Sequence, residues 1–503
     1  MSEPFNLSEY KIIIGGRELI ESHITNIVGG DVQDAKNQEK VNKALMICLK
    51  EIRVRIGTLL KTDNVSFLIG AGASLSTGGV SLVNIPIPLE EALVKKVENE
   101  NGTDFPEWLK LFYSSLNHLT KKEFTTEDRI KLFKKKKANI EPIPLNLESY
   151  LNTLFTWNAG MGGTSTSLQL NGDVDLQIKQ SDLKTLIKKI TSTLVNLLNL
   201  PKITSEESTQ KDSKQEDSKK KDSEDPLKIH RKFIKRILTR PLNLRRANLF
   251  TLNYDTLIEQ AADAEGSILV DGFVGTLRRV FRPESYNIDY YFPAQTTEGR
   301  VHRFDRALHL YKLHGSITWH RTEKPNWENP FGFYATFYNQ EADTDNVLIY
   351  PTPLKYGQTL GMPYSELFRR FGNAIAQPQS TLFVIGYGFG DEHVNALITQ
   401  ALAIPSFTLI IVDPKPESEY VKQLESLEDE RVWIVQGWAL GTFKQFVEKL
   451  LPDLKEEEID TKVMRTFSSL MDPSRQSSEN TGEGVKEREK SEGIEEGGGA
   501  NDE

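Results

Sequence analysis

The chain has 503 residues, 38% of them hydrophobic and 26% charged, and a formal net charge of −9. That is enough chain for a large core or two domains. The acidic balance excludes whole-molecule attraction to nucleic acid or an anionic membrane, so only local basic runs such as "KLFKKKKANI" remain.

The single cysteine, Cys48, excludes an intrachain disulfide and a cysteine-based zinc site, and the scattered histidines suggest no metal site. No stretch nears the roughly 20 apolar residues a membrane helix needs. The start "MSEPFNLSEYK" has neither the basic nor the apolar region of a signal peptide. A cytoplasmic protein is the expectation.

Along the chain, residues 1–60 read as an N-terminal helical segment, carried by the amphipathic "VNKALMICLKEIRVRIGTLLK". "VSFLI" then runs into Gly70-Ala71-Gly72-Ala73-Ser74, a strand followed by a glycine-rich turn. From about 80 to 246 the pattern is mostly helical, as in "LNLESYLNTLFTW" and "SDLKTLIKKITSTLVNLLN", which suggests a helical insertion over one end of a sheet. Inside it, about 204–226 is charged and nearly free of apolar residues, the composition of a disordered insert.

"NLFTL" is the next strand, running into Asn253-Tyr254-Asp255 and the helix "TLIEQAAD". The aromatic-rich block from about 272 to 352 reads either as a smaller lobe or as long loops. It contains "LYKLHGSITW", where His314 ends an apolar run. "TLFVIGY", "FTLIIV" and "RVWIV" complete the strands, and residues 471–503 read as a disordered acidic tail. Near-continuous apolar strands alternating with helices predict an α/β fold: a Rossmann-like, doubly wound parallel sheet with a mostly helical insertion, over residues 61–470.

In such sheets ligands bind beyond the carboxyl ends of the strands. There lie Gly70 to Ser74, Asn253 and Asp255, His314, the turn Gly386, Gly388 and Phe389, and Asp413. Each has two readings. The Gly70 turn either makes a corner or lets backbone amides and a following helix N-terminus meet a diphosphate. Asn253 and Asp255 either cap a helix or serve a ligand. His314 is either structural or chemical. The glycines 386 and 388 either punctuate a strand or approach a ligand. Asp413 either closes a turn on its own backbone or accepts ribose hydroxyls.

Taken in order, "GAGAS", "TLNYD", "KLHGS", "GYGFGDEHVN" and "IIVDP" resemble the sirtuin-like domain, in the branch found in bacterial antiphage defence systems. The resemblance spans roughly residues 61–435. It implies a Rossmann-like domain that takes NAD as substrate. The diphosphate would lie at Gly70, Ala71, Gly72, Ala73 and Ser74, and the nicotinamide ribose at Asn253 and His314, with Asp255 in support. Gly386, Gly388 and Phe389 would lie near the dinucleotide and Asp413 near the adenosine ribose.

Sirtuin deacetylases carry a four-cysteine zinc module that this chain lacks. The resemblance therefore favours NAD glycohydrolysis to nicotinamide and ADP-ribose, without a metal. The alternatives are an NAD-dependent protein deacylase or ADP-ribosyltransferase, and a non-catalytic sensor of NAD or ADP-ribose. The resemblance also implies a regulated antiphage effector, a homo-oligomer, and a HerA-type ATPase partner or phage-derived activator.

Overall fold

In the computed structural model, the described residues are 6–28, 37–79, 84–98, 105–121, 124–134, 143, 145–161, 167–170, 176–200, 225–293, 301–322, 324–336, 346–348 and 361–456. The predicted charged insert, save its last two residues, and the predicted acidic tail lie outside them. The chain divides into two units, Met1–Pro452 and Asp453–Glu503, and the main sheet with its helices belongs to the first.

The strands of that sheet are β1 (Lys11–Ile14), β2 (Arg17–Glu18), β3 (Asn64–Ile69), β4 (Asn248–Thr251), β5 (Ile268–Val270), β6 (Ala307–Lys312), β7 (Ser380–Ile385), β8 (Thr408–Val412) and β9 (Val432–Gln436). They form one nine-stranded sheet in the order β2-β1-β9-β8-β7-β3-β4-β6-β5. Neighbours from β9 to β5 run parallel, and the hairpin β1–β2 closes the other edge, with β1 antiparallel to β9. The five strands expected from apolar runs are β3, β4, β7, β8 and β9. All six residues of β7 are buried, as a strand covered on both faces requires.

The chain leaves β3 towards β4 on one side and later returns to β7 on the other, so the topology switches between β3 and β7. Residues 1–60, expected to be helical, hold helices α1 (Ile20–Val28) and α2 (Gln38–Leu59) but also the hairpin β1–β2. "KIII" is too short to announce an edge strand by periodicity alone.

The two sheet faces have different cores. On one, Phe67 stacks on Phe383 at 5.0 Å and meets Phe233 edge-on at 5.3 Å. On the other, Leu68, Leu382 and Val384 pack in one cluster with Leu367, Phe368, Phe371 and Ile375.

The insertion contains α3 (Pro86–Glu98), α4 (Glu107–Thr120), α5 (Thr126–Lys134), α6 (Leu147–Gly160) and α7 (Gln180–Leu198). A hairpin of its own, Ser167–Leu170 with Leu176–Lys179, pairs apart from the main sheet. These elements enclose a separate core from Ile85 to Leu194. Helix α8 (Lys228–Leu238) bears the Phe233 that covers Phe67. Helices α9 (Leu257–Ala264), α10 (Tyr364–Ile375), α11 (Glu392–Leu402) and α12 (Glu419–Ser426) complete the layers.

The aromatic-rich block is a lobe rather than long loops. Its five-stranded antiparallel sheet orders Asn346–Leu348, Gly315–Arg321, Phe333–Ala335, Arg279–Phe281 and Phe273–Val274. Among the described residues no helix is long and apolar enough to cross a membrane.

His230 of α8 is 3% exposed, packs on Phe443, and has an Nδ1 without a partner among the described residues. Burial holds its pKa down to about 4, against the pull of the Asp255 carboxylate. His309 is lowered to about 4 by burial as well. The unfolded chain binds these protons below about pH 6.5, while the fold refuses them until about pH 4. Stability therefore falls as the pH drops through that window, by roughly 3 kcal/mol per group at its lower end. We expect His230→Leu to flatten this slope in melting temperatures taken from pH 7 to pH 4. An unchanged slope would contradict the assignment.

Candidate functional site

Strand register lines up the site. Lys312, Thr251, Ile69, Ile385, Val412 and Val435 are successive partners across β6, β4, β3, β7, β8 and β9. Gly70, Gly386 and Asp413 lie one residue beyond that row, and Asn253 and His314 two beyond. The residues expected at the site thus emerge from one edge of the sheet.

At the switch point the two glycine turns touch. The Gly70 amide donates to the Ile385 carbonyl at 2.9 Å and the Gly72 amide to that of Gly386 at 2.9 Å. A Cβ on Gly70 would sit 2.5 Å from the Gly386 oxygen, and one on Gly72 2.7 Å from the Gly386 Cα. Gly386 has φ +64°, and its Cβ would meet the Ala73 nitrogen at 2.7 Å. These glycines allow two backbones to pack directly.

The helix N-terminus expected after Gly70 is not there. Two 3₁₀ turns follow, Ala71–Ala73 and Leu75–Thr77, and the amides of Ala73 and Ser74 turn back to the carbonyls of Gly70 and Ala71. Contact with Gly386 bends this segment before an α-helix can start. Between Gly70 and Ser74, only the Ala71 amide has no acceptor among the described residues.

The second turn has the opposite character. The Gly386 amide is used by Val412 at 3.1 Å, but those of Gly388, Phe389 and Gly390 have no backbone acceptor among the described residues. Phe389 has φ +56°, and a Cβ on Gly388 or Gly390 would meet nothing within 4 Å. Consecutive amides around a left-handed residue, with open space beside them, are an arrangement of donors that suits an anion.

Asn253 Nδ2 donates to the Gly70 carbonyl and to Ser74 Oγ, both at 3.0 Å. With both amide hydrogens engaged, its Oδ1 is left as the acceptor. Ser74 in turn donates to Asp255 Oδ2 at 2.7 Å, and Asp255 Oδ1 accepts from the Leu257 amide at 3.2 Å as α9 begins. Asp255 is buried, and its carboxylate braces Ser74 and the first amide of α9, whose N-cap position is Thr256. Buried Lys312 donates to the Asp255 carbonyl and to Glu259 Oε1, the latter at 2.8 Å. Burial pushes the Glu259 carboxyl up against the pull of Lys312.

His314 is 8% exposed, with its ring centroid 6.3 Å from those of Tyr254 and Phe368. Its Nε2 lies 3.1 Å from Asp391 Oδ2. Asp413 Oδ1 accepts from the Lys415 amide at 2.9 Å, the expected turn, while burial pushes its carboxyl up.

The helical insertion reaches this edge as well. Val195, with Leu198 beside it, packs on Tyr254 and Ile317, and Gln260 Nε2 donates to the Leu200 carbonyl at 2.7 Å.

Sequence reasoning missed Asp391, Lys312 and Glu259 as partners of the site. All three lie in strings that were legible, "GYGFGDEH", "KLHGS" and "TLIEQ", but their contacts are made across the fold. Among the described residues no group of three His, Cys, Asp or Glu is placed to hold a metal ion.

The class so defined is a Rossmann-like α/β domain with its polar residues gathered at the switch point. The family model described as SIR2-like domain matches residues 247–433 and supports a sirtuin-like domain there. That match supports a sirtuin-family, NAD-related function. No curated protein matches the chain. The matched stretch carries Asn253, Asp255, His314, Asp391 and Asp413, while the Gly70 turn joins them from outside it through β3.

Gly386→Ala should lower stability by at least about 2 kcal/mol, from the left-handed φ and the clash together. Gly388→Ala should stay within about 0.5 kcal/mol of the parent. Denaturant unfolding of both decides, and equal losses would refute the packing account.

Proposed function

We propose that the protein hydrolyses NAD at the nicotinamide N-glycosidic bond. The observation that carries this reading is the convergence of Asn253 and His314, from separate strands, beside an open turn of unused amides. The diphosphate would rest on the amides of Gly388, Phe389 and Gly390, aided by Ala71. That moves the main cradle away from Gly70 to Ser74, whose amides are mostly spent. Asp413 Oδ2 would accept the adenosine ribose hydroxyls.

Nicotinamide leaves readily because its ring nitrogen is cationic in NAD, so no general acid is needed, unlike in most glycosidases. Water forms the new C1′–O bond as the C1′–N bond breaks, and the electron pair neutralises the departing nicotinamide. Asn253 Oδ1 orients the water or a ribose hydroxyl, held by Gly70 and Ser74. His314 takes the proton as general base. Asp255 keeps Ser74, and through it Asn253, in place. One cysteine cannot build the four-cysteine zinc module of deacetylases, which favours water as the acceptor over a bound peptide. A gate on such an activity, whether an oligomer, a partner ATPase or a phage-derived signal, belongs to the same reading.

Nicotinamide release is measured with and without an acetylated peptide. We expect release without peptide, and losses of about 10²–10⁴ for His314→Ala and Asn253→Ala. Full activity in both variants would sink the assignment. Release only with peptide would favour the deacylase, and NAD binding without release, with a partner added, the sensor.

A further inference from the structure

Asp391 has an evident structural duty. Its Oδ1 accepts from the His393 amide at 3.0 Å and caps α11. Its own amide donates to Tyr387 Oη at 2.9 Å. Asn395 Nδ2 ties the same segment to the Phe389 carbonyl at 2.9 Å. The segment "YGFGDEHVN" is therefore braced from within, and the Asp391 carboxylate is fixed before any ligand arrives.

Capping uses one carboxylate oxygen. The other lies 3.1 Å from His314 Nε2, with both residues buried. This second bond is not local. His314 follows β6 and Asp391 follows β7, and β3 and β4 stand between those strands in the sheet. At about 4.8 Å per strand, the bond joins segments whose strands are roughly 14 Å apart. It passes over the ends of β3 and β4, where Gly70 and Asn253 begin.

We propose that Asp391 is a positioning residue for His314. Its carboxylate accepts the Nε2 proton, fixing the ring's orientation and tautomer and making Nδ1 the basic nitrogen; the catalytic part of this rests on the hydrolytic reading of the site. A neutral imidazole has one N–H, so the bond made at one nitrogen decides the character of the other. A rigid carboxylate also lowers the cost of holding the ring where a proton must be taken.

The test separates capping from positioning. Ser is as good an N-cap as Asp but too short to reach His314, so Asp391→Ser keeps the cap and loses the tie. Asp391→Asn keeps the cap with its single oxygen but turns an amide nitrogen, a donor, towards Nε2. We expect Asp391→Ser to melt within about 2 °C of wild type and to lose about 10- to 100-fold in kcat with little change in KM. Asp391→Asn should not recover that loss, because an amide donor facing Nε2 favours the opposite tautomer.

In the free protein, histidine ¹⁵N spectra, with His314→Ala to assign the signal, should show one Nε2–H tautomer. Asp391→Ser should turn it into a mixture. An unchanged His314 spectrum in Asp391→Ser overturns the proposal whatever the activity. Wild-type kcat in Asp391→Ser overturns its catalytic part. A wild type that releases no nicotinamide even with a partner ATPase and a phage-derived signal added refutes the hydrolytic reading, while the spectra still decide the tie.

Discussion

The site depends on a contact between two backbones with no side chain between them. Gly72 donates to Gly386 at 2.9 Å, and a Cβ on Gly70, Gly72 or Gly386 would press into the opposite turn. This closeness lets β3 and β7 diverge at the switch point and still carry their turns side by side. It also diverts the Gly70 turn into 3₁₀ geometry and spends its amides internally. The donors that stay open are those of the next turn, around Phe389.

Around that contact the site is assembled by ties of increasing range. Asn253 spans from β4 to the β3 turn, and Ser74 passes the tie on to Asp255. Lys312 locks the end of β6 to the start of α9. His314 and Asp391 reach from the β6 side to the β7 side. Nearly every polar group that would serve a ligand is thus held by a second residue that does not. Val195 and Leu198 bring the end of the insertion against Tyr254 and Ile317, so a shift of α7 would be felt at the residue following Asn253.

The five strands of near-continuous apolar residues were legible because burial on both faces leaves no room for polar alternation. The same logic exposed the strand-end residues Asn253, His314 and Asp413, since polar groups at those positions stand where a sheet opens to ligand. The hairpin β1–β2 and the strand β5 escaped notice, being short and at the two ends of the sheet, where composition is less constrained. The α-helix expected after Gly70 was the natural inference from a strand–turn pattern. It failed because a backbone more than 300 residues later occupies the space beside it.

Composition, strand pattern and the ordered motifs were enough to establish an α/β sheet, its insertion, and the strand ends where chemistry belongs. Those features are local, and burial or turn geometry writes them into neighbouring residues. Which amides stay open, which carboxylate lies beside His314, and that Asp255 accepts from Ser74 were decided only by the folded arrangement. Each is a contact between segments far apart in the chain, and hydrogen-bond partners are assigned by distance in space, which no spacing along the chain encodes.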